Sequence, residues 1–358
     1  MKNIGLTERV SQEAKEYPNL FVGRISSQHK NFYTVITEKG EISAEISGKF
    51  HYHVKDSSGF PAVGDFVMLD RLGSDGGNAI IHHVLSRKSM FGRKVAGTKE
   101  DMQVIAVNID TVFICMSLNN DFNLRRLERY LAVAWDSGAT PVVILTKSDL
   151  CFDIDKRLSE VTSVSVGVDV YVTSSSLNEG FESLTNYFTN GKTVAFIGSS
   201  GVGKSTLINR LIGKEVMETS GLRNDDKGRH TTTSRELIRL PDSGVVIDTP
   251  GMRELGIISA DFSRSFSDID ELARECKFND CRHTSEPKCA VQKAIQDGTL
   301  SVERLNSYRK LLKEAKYDGL NSRMIEKEKL NTIFSEVGGM KNARKTLQEK
   351  KKIQNYSK

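Results

Sequence analysis

Nine residues in the middle of the chain have the types and the spacing of a phosphate-binding loop. Residues 198–206 read Gly-Ser-Ser-Gly-Val-Gly-Lys-Ser-Thr and match the pattern G-x-x-x-x-G-K-[ST] at every required position. Glycine lets the backbone turn tightly and approach a phosphate, so that successive N–H groups face the anion. We expect Lys204 to bridge the β- and γ-phosphates and assist catalysis, and the Ser205 hydroxyl to hold Mg²⁺. The expected nucleotide-binding residues of the loop are Gly198, Ser199, Ser200, Gly201, Val202, Gly203, Lys204, Ser205 and Thr206.

A second motif, Thr146-Lys147-Ser148-Asp149, is suited to reading the base of a nucleotide. The Asp149 carboxylate can accept hydrogen bonds from guanine N1–H and from the exocyclic amine, whereas adenine has no such donor pair on that edge. A carboxylate left unpaired in the pocket would make adenine binding costly. We expect Lys147 to lay its methylene stem along the base, and Ser174, in a run of three serines, to lie where backbone N–H groups reach the base carbonyl.

Two further stretches supply groups for the γ-phosphate and for Mg²⁺. Residues 248–251 read Asp-Thr-Pro-Gly, and we expect Asp248 to hold Mg²⁺ through water and the Gly251 N–H to contact the γ-phosphate. Residues 228–233 read Gly-Arg-His-Thr-Thr-Thr, where a threonine, assigned as Thr232, would complete the magnesium shell. The predicted magnesium ligands are therefore Ser205, Thr232 and Asp248.

Three cysteines and one histidine form a separate cluster near the C-terminus. Cys276, Cys281, His283 and Cys289 have the spacing C-x4-C-x-H-x5-C, which suits a closed, tetrahedral, structural zinc site. The alternative is a set of free cysteines in a helical region, which so tight a cluster disfavours. Because the total of five cysteines is odd, a disulfide framework is disfavoured and a reducing, cytoplasmic location is expected.

Alternating strand and helix patterns surround the nucleotide motifs between residues 101 and 257. Short apolar runs predict strands, and apolar residues at helical spacing predict helices over 124–135 and 206–212. Such alternation is typical of a parallel sheet covered by helices, with ligands at the carboxyl ends of the strands. The predicted strands are 111–115, 141–145, 168–173, 193–197 and 244–247.

The first 100 residues are dominated by short strand patterns and glycine-containing turns, which predict a small closed β-barrel. The predicted strands are 20–25, 32–37, 41–46, 66–69 and 79–81. Such barrels often bind RNA through a charged, aromatic face. That face would contain Arg24, Lys30, Phe32, Tyr33 and Lys49; alternatively, the aromatic residues belong to the barrel core and the charges to ordinary surface.

Two other features of the N-terminal region contain residues that are able to bind a metal or a nucleic acid. The pairs His51/His53 and His82/His83 have no further ligands at a recognised spacing, so we do not assign them to a metal. Residues 87–100 are basic and contain glycine, which suggests a linker between domains or a loop that touches RNA.

The C-terminal region from residue 258 has helical patterns at 290–295, 305–315 and 323–330. Its last segment, 340–358, is dense in lysine and arginine and has Glu349 as its only acid. This segment is suited to RNA phosphates, but a solvated, partly disordered tail is an equal alternative.

Composition limits the class of protein. The chain has 358 residues, 38% of them hydrophobic, and a net charge of +5, which permits a nucleic-acid partner without requiring one. No apolar run approaches the length of a membrane span, and residues 1–16 have no signal-peptide core. We expect a monomer with no membrane partner.

The nucleotide motifs stand in an unusual order, since the base-reading residues precede the phosphate loop instead of following it. The set is complete but rotated, and in this respect the chain resembles the circularly permuted GTPases. Together with the Cys/His spacing, and with segments 93–97 and 103–110, the motifs make almost the full chain similar to the ribosome small-subunit-dependent GTPase A family (RsgA/YjeQ-type).

This resemblance implies an α/β fold with a circularly permuted P-loop GTPase core at 101–257. It also implies an N-terminal oligonucleotide-binding (OB-fold) barrel with a linker at 1–100, and a mostly helical zinc domain with a basic tail at 258–358. The implied function is hydrolysis of GTP to GDP and phosphate, stimulated by the small ribosomal subunit, with rRNA contact and a role in late subunit maturation. Thr146 departs from the usual asparagine, which we expect to loosen guanine binding slightly.

The residue that positions the attacking water in many GTPases is absent from its usual place in this sequence. Many GTPases have a glutamine directly after D-x-x-G, but Met252 stands there and cannot orient water. The resemblance places the chain among GTPases with a hydrophobic residue at that position. His230 is the candidate replacement, because a neutral imidazole can position water near pH 7; alternatively, His230 only packs or contacts RNA.

Two other function classes compete with that of a GTPase. The first is a non-enzymatic RNA-binding module whose nucleotide site only stabilises the fold; the intact set of Lys204, Ser205 and Asp248 argues against it. The second is an ATP-dependent transporter or motor component. Asp149 and the lack of a second ATPase signature argue against that class.

Overall fold

A computed structural model describes residues 1–29, 32–54, 56–73, 77–94, 102–213, 236–241, 244–248, 262, 264–317 and 326. The five predicted strands of the N-terminal region are confirmed, and they are β1 (Phe21–Gln28), β2 (Tyr33–Thr37), β3 (Gly40–Ile46), β4 (Phe66–Leu69) and β5 (Ala79–Val84). Neighbours pair in the order β1-β2-β3-β5-β4, and β4 pairs back with β1. The sheet therefore closes into a barrel, as predicted.

The barrel is filled by one side of its alternating strands. The side chains of Ile25, Val35, Val67, Leu69 and Ile81 are fully buried and share one apolar cluster. The flanking helices are α1 (Glu8–Ala14) and α2 (Gly48–His53), and a short 3-10 helix spans Lys2–Ile4. Thr7 caps the N-terminus of helix α1, because its hydroxyl accepts a hydrogen bond from the N–H of Val10.

The structure corrects the expected RNA-binding face of the barrel. Arg24 is completely buried and Tyr33 is 8% exposed within the core, so neither lies on a surface that RNA can reach. Phe32 is 39% exposed and stacks on His29, and Lys49 is exposed. Lys30 lies outside the described residues. The core interpretation is therefore correct for Tyr33, and the surface interpretation is wrong for Arg24.

Arg24 instead joins three parts of the molecule. Its guanidinium donates hydrogen bonds to the carbonyl oxygens of Gly64 (3.1 Å) and Ile4, and to the Thr193 hydroxyl (3.0 Å) of the central domain. Burial lowers the pKa of Arg24 to about 10, so the side chain is still charged at neutral pH. The barrel is therefore anchored to the strand that leads to the phosphate loop.

Part of the predicted linker at 87–100 is a strand. Strands β6 (Met90–Lys94) and β7 (Met102–Val107) form an antiparallel hairpin, so the linker interpretation is wrong for residues 90–94, and residues 95–100 lie outside the described ranges. Arg87 is not a free surface charge either, because its guanidinium pairs with the fully buried carboxylate of Asp65 (Nε–Oδ1 2.8 Å, Nη2–Oδ2 2.7 Å).

Replacing Arg87 by methionine is expected to lower the free energy of unfolding by about 3–5 kcal/mol, because Asp65 would keep a buried charge without its main partner. Urea unfolding, followed by far-UV circular dichroism, measures the loss of unfolding free energy. The matched control is Arg71→Met, which removes a half-exposed pair with Asp70 (2.6 Å) and is expected to cost about 0–1 kcal/mol. Equal urea midpoints for Arg87→Met and Arg71→Met would contradict a stabilising role of the buried Arg87–Asp65 pair.

The strands of the central domain are β8 (Thr111–Ser117), β9 (Thr140–Thr146), β10 (Asp169–Val172), β11 (Thr193–Ile197), β12 (Glu236–Arg239) and β13 (Val245–Asp248). The predicted strands of this region are all confirmed. They form a parallel sheet with the strand order β10-β9-β8-β11-β13, and β12 pairs antiparallel with β13 at one edge. The register pair Ser27–Glu236 continues the sheet into β1 of the barrel.

Helices cover both faces of the central sheet because side chains alternate across each strand. On one face, Val112 and Ile114 of β8 share a cluster with Leu127 of α3 (Leu124–Asp136) and Val161 of α4 (Ile154–Val164). On the other face, Phe113 packs with residues of α5 (Lys204–Ile212) and of the 3-10 segment Glu182–Gly191. The three-layer α/β arrangement that the sequence predicts is confirmed.

The C-terminal region contains α6 (Ser267–Arg274), α7 (Ala290–Gln296) and α8 (Val302–Tyr317), which confirms the predicted helices at 290–295 and 305–315. Helix α6 is an addition to the prediction, and the pattern at 323–330 lies almost entirely outside the described residues, as does the basic tail. Helix α8 packs against α3 of the central domain. In the described part of the chain, no helix has the length and apolar character to cross a bilayer.

Candidate functional site

The phosphate loop lies between β11 and α5, where the sequence predicts it. Gly198 has φ +150°, and a Cβ there would lie 2.4 Å from the carbonyl oxygen of Cys115, so a side chain has no space. Gly203, with φ +96°, directly precedes α5. The helix begins at Lys204, two residues before its predicted start at residue 206. The Lys204 ammonium donates to the carbonyl oxygens of Gly198 (2.8 Å) and Ser199 (2.7 Å), which places its charge across the loop. The loop can therefore present N–H groups and a cation to an anion.

Thr146 connects the base-reading motif to the phosphate loop. It ends β9, is 6% exposed, and its hydroxyl donates to the carbonyl oxygen of Val202 at 2.6 Å. The strand order brings this about, since β9 and β11 flank β8 and all three end at the same edge of the sheet. Two motifs separated by some fifty residues of sequence thus share one site.

Asp149 is positioned by Ser174. The Ser174 hydroxyl is buried and donates to Asp149 Oδ1 at 2.6 Å, and this hydrogen bond lowers the pKa of the exposed Asp149 carboxyl. Lys147 has φ +57°, which turns the chain so that Ser148 begins a 3-10 helix. Asp149 is consequently an ionised acceptor at neutral pH, held at the rim of the site.

Ser174 acts here through its side chain. Its backbone N–H donates to the carbonyl oxygen of Glu179 at 3.1 Å, while its hydroxyl also accepts from the N–H of Leu177 at 3.1 Å. The sequence indicated that this segment lies near the base but gave no sign of the contact with Asp149, because a serine run has no spacing that specifies a partner.

Asp248 ends β13 and is 8% exposed. Its strand pairs in parallel with β11, so the carboxylate lies at the same sheet edge as the phosphate loop and Ser205. Thr232, His230 and Gly251 lie outside the described residues. One contact that sequence reasoning missed is that of Arg126 in α3, which donates to the Ser199 hydroxyl and to Asp121 Oδ2 (2.7 Å).

Replacing Thr146 by valine is expected to weaken GTP binding about 3- to 10-fold, because one hydrogen bond of about 0.5–1.5 kcal/mol between the two motifs is lost. Valine keeps the shape of the side chain but leaves the Val202 carbonyl without that donor. Titration with a fluorescent GTP analogue measures the change. Thr140→Val, at the exposed start of the same strand, is the control; an equal effect of both substitutions would rule out a specific bridge.

The four C-terminal ligand candidates come together as predicted. The ligand atoms of Cys276, Cys281, His283 and Cys289 all lie within 4.8 Å of one another, so the group is able to hold a metal ion. The Cys276–Cys289 sulfur distance is 3.8 Å, and His283 Nδ1 lies 3.6 Å and 3.4 Å from these two sulfurs. Among the residues that the structure describes, the histidines of the barrel join no comparable group.

The loop between the ligands is folded around Glu286. Its carboxylate accepts hydrogen bonds from the N–H groups of Arg282 (2.9 Å), Thr284 (2.7 Å) and Ser285 (3.0 Å). Backbone hydrogen bonds, including one from its own N–H, lower the pKa of Glu286 to about 2. The Arg309 guanidinium of α8 donates to the carbonyl oxygen of His283 at 2.6 Å and so ties the ligand loop to that helix.

The matching family model and two curated relatives point to the same family. The sequence model of the RsgA GTPase matches residues 84–258. The chain is 52% identical over 338 residues to "Small ribosomal subunit biogenesis GTPase RsgA 2" of Lactiplantibacillus plantarum, covering 94% of this chain and 95% of that protein. It is 47% identical over 298 residues to "Small ribosomal subunit biogenesis GTPase RsgA 1" of Listeria innocua, covering 82% and 84%.

Two solved structures share the fold. The crystal structure of YjeQ from Thermotoga maritima is 26% identical, has a TM-score of 0.60 and covers 83% of this chain and 98% of its own. The structure of YloQ, described as a circularly permuted GTPase, is also 26% identical, with a TM-score of 0.58 and coverage of 83% and 95%. With its closed barrel, permuted nucleotide motifs and Cys/His cluster, the chain belongs to the RsgA GTPase family.

Proposed function

We propose that this protein hydrolyses GTP to GDP and phosphate and assists the late maturation of the small ribosomal subunit, which stimulates the hydrolysis. One observation carries the nucleotide chemistry. The Thr146–Val202 hydrogen bond joins the phosphate loop to the segment that contains Asp149, the candidate guanine-reading carboxylate, which Ser174 holds in place. The partner is supported by the names of the relatives, which are small ribosomal subunit biogenesis GTPases. The intact phosphate loop does not favour a non-enzymatic module.

Within this proposal the residues divide the work. The loop N–H groups and Lys204 bind the phosphates, Asp149 accepts from the guanine edge, and Lys147 lies along the base. The Ser205 and Asp248 oxygens are the hard donors that Mg²⁺ prefers, with Thr232 as the further ligand. Mg²⁺ would neutralise charge on the β- and γ-phosphate oxygens when bound. Gly251 would contact the γ-phosphate, and His230 would orient the attacking water.

We assign the Cys/His cluster to one structural zinc ion. Tetrahedral zinc with Zn–S of about 2.3 Å and Zn–N of about 2.0–2.1 Å requires edges of about 3.8 Å between sulfurs and about 3.5 Å between sulfur and nitrogen. The distances of 3.8 Å between Cys276 and Cys289, and of 3.6 Å and 3.4 Å to His283, agree with this geometry. With four protein ligands no position remains for water, so the role is structural.

The expected partners follow from the same assignment. They are GTP, GDP, the small ribosomal subunit and its rRNA, and a cytoplasmic monomer without a membrane partner is the expected form. We place the domains at 1–100 for the barrel and linker, 101–257 for the permuted GTPase core and 258–358 for the zinc domain and basic tail.

The deciding experiment is GTP hydrolysis by the purified protein alone, with small ribosomal subunits, and with large subunits as the control. Stimulation by small subunits only is expected. A Lys204→Ala variant reports any contaminating hydrolase, because it removes the phosphate-bridging cation. Slow turnover that no subunit changes would leave a GTP site but would contradict the ribosomal role.

Replacing His230 by alanine is expected to preserve GTP affinity and to reduce subunit-stimulated turnover about 100-fold, the lower end of what a positioned acid–base group contributes. Single-turnover hydrolysis on small subunits measures it, together with nucleotide binding in solution. Met252→Ala, one residue after D-x-x-G, is the control for disturbance of the loop. Turnover at the wild-type level in His230→Ala would exclude His230 from water positioning.

A further inference from the structure

Helix α3 touches the phosphate loop at one end. Arg126, in the first turn of the helix, donates through Nη1 to the Ser199 hydroxyl and to Asp121 Oδ2 at 2.7 Å. Ser199 is the second residue of the phosphate loop, and its carbonyl oxygen accepts from Lys204 at 2.7 Å. Ser199 is therefore held by Arg126 of α3 through its hydroxyl and by Lys204 of the loop through its carbonyl oxygen, so the position of α3 bears on the shape of the loop.

The same helix touches the C-terminal region two residues further on. Glu128 is 1% exposed and accepts from Arg304 of α8 at 3.0 Å and from Arg125 at 2.6 Å. The Arg304 side chain is 9% exposed and also forms a bidentate pair with Asp268 of α6 (2.6 Å and 2.8 Å). Its guanidinium lies 4.8 Å from the centre of the buried Phe266 ring.

This junction is specific in geometry. Two carboxylates from different domains, Glu128 and Asp268, converge on one buried guanidinium, and a buried charge without its partner is strongly unfavourable. The C-terminal region can therefore dock on α3 only where Arg304 reaches both acids. Arg126 and Glu128 lie about 3 Å apart along the axis of α3, so a displacement of the helix at Glu128 also displaces Arg126.

We propose that α3 couples the phosphate loop to the C-terminal metal-binding region, with Arg126 and Arg304 as positioning residues for nucleotide binding. The route runs from Ser199 through Arg126, Glu128 and Arg304 to Asp268. Docking of the C-terminal region holds α3 where Arg126 supports the loop, and nucleotide on the loop holds α3 where Glu128 meets Arg304. Such coupling is reciprocal, because each event changes the free energy of the other by the same amount. The proposal rests on the nucleotide site of the proposed function but not on the ribosomal role.

The test uses the full-length protein and three arginine-to-methionine variants. Arg304→Met and Arg126→Met each remove one contact of the route. Arg157→Met is the matched control, since Arg157 pairs with Glu160 at 2.8 Å and lies 4.6 Å from the Phe122 ring. Among the residues that the structure describes, Arg157 bonds to neither the loop nor the C-terminal region. Affinity for a fluorescent, non-hydrolysable GTP analogue and zinc per chain are measured for each.

We expect Arg304→Met and Arg126→Met each to weaken analogue binding about 5- to 20-fold with zinc retained, and the double variant to be little worse than either single one. Arg157→Met should bind as the wild type does. Wild-type affinity in Arg304→Met, or single effects that multiply in the double variant, would overturn the proposal. If Arg304→Met does not fold, Glu128→Gln, which keeps the shape and removes the charge, takes its place.

A second readout separates coupling from a loss of stability. In the wild type, the GTP analogue is expected to slow hydrogen exchange of α8 amides, although α8 does not form the phosphate site. In Arg126→Met at saturating analogue this protection should disappear, while exchange of α8 without nucleotide stays unchanged. Equal nucleotide-dependent protection of α8 in the wild type and in Arg126→Met would overturn the proposal. Both readouts use nucleotide binding alone, so a protein that failed to respond to ribosomes would still be tested.

Discussion

Replacing Asp149 by asparagine is expected to lower GTP affinity about 10²- to 10⁴-fold and to raise affinity for xanthosine triphosphate. In the proposed site the carboxylate would accept two hydrogen bonds from the guanine edge, and charge-assisted bonds of this kind contribute about 1.5–3 kcal/mol each. Asparagine offers one acceptor and one donor instead, and the donor faces the guanine amine. Xanthine has a carbonyl in place of that amine, so the donor would gain a partner.

The geometry around Asp149 makes the substitution clean. Ser174 donates to Oδ1 at 2.6 Å, and an asparagine with its amide oxygen at that position would keep the contact. Binding of GTP and xanthosine triphosphate, and their hydrolysis, measure the change in base preference. Asp155→Asn, in the exposed first turn of α4, controls for charge alone. Unchanged GTP affinity in Asp149→Asn would show that the base is read elsewhere.

Replacing Cys289 by serine is expected to remove the bound metal and to unfold the C-terminal ligand loop. Cys289 is 5% exposed and its sulfur also accepts from the N–H of Gln292 at 3.4 Å, so it starts α7 as well as completing the cluster. Binding of structural zinc contributes about 10–16 kcal/mol in small zinc domains, far more than the stability of so short a segment. We therefore expect the loss of one thiolate to abolish the folded loop and not merely to loosen it.

Metal per chain, from elemental analysis, and the rate of proteolysis within residues 276–289 report the two effects. We expect close to one zinc per wild-type chain and almost none in the variant. Cys151→Ser is the control, because Cys151 is a partly buried free cysteine outside the cluster. A Cys289→Ser variant that keeps its metal and resists protease would show that the cluster is not a four-ligand site.

Many local patterns in the sequence predicted the structure correctly. Glycine-containing turns and alternating apolar residues predicted all five barrel strands, because each strand exposes its periodicity within a few residues. The phosphate loop and the Cys/His cluster were predicted equally well. The close approach of the Gly198 backbone to its neighbour requires glycine, and a site with four metal ligands requires cysteine or histidine at set spacings. Because each nucleotide motif was identified locally, the rotated order of the motifs along the chain indicated the permuted core.

Some local patterns were misleading. Residues 90–94 look like a basic linker, but their pairing with β7 depends on a partner strand that their own composition does not reveal. Helix α6 was missed because it is eight residues long and has no side-chain cap at Phe266.

The placement of charges inside the molecule was decided by tertiary structure alone. Arg24 looked like part of an RNA-binding surface, yet it is buried and bonds to Thr193, 169 positions away. Glu128 meets Arg304 across 176 positions, and Arg126 meets Ser199 across 73. A charged side chain carries the same signal in a sequence whether water or a partner solvates it. Only the folded chain determines which one it is, since the partners converge through strand order and helix packing. The sequence by itself thus predicted the residues expected to bind phosphate, base and metal, while the tertiary structure determined how the barrel, the central sheet and the C-terminal helices are joined.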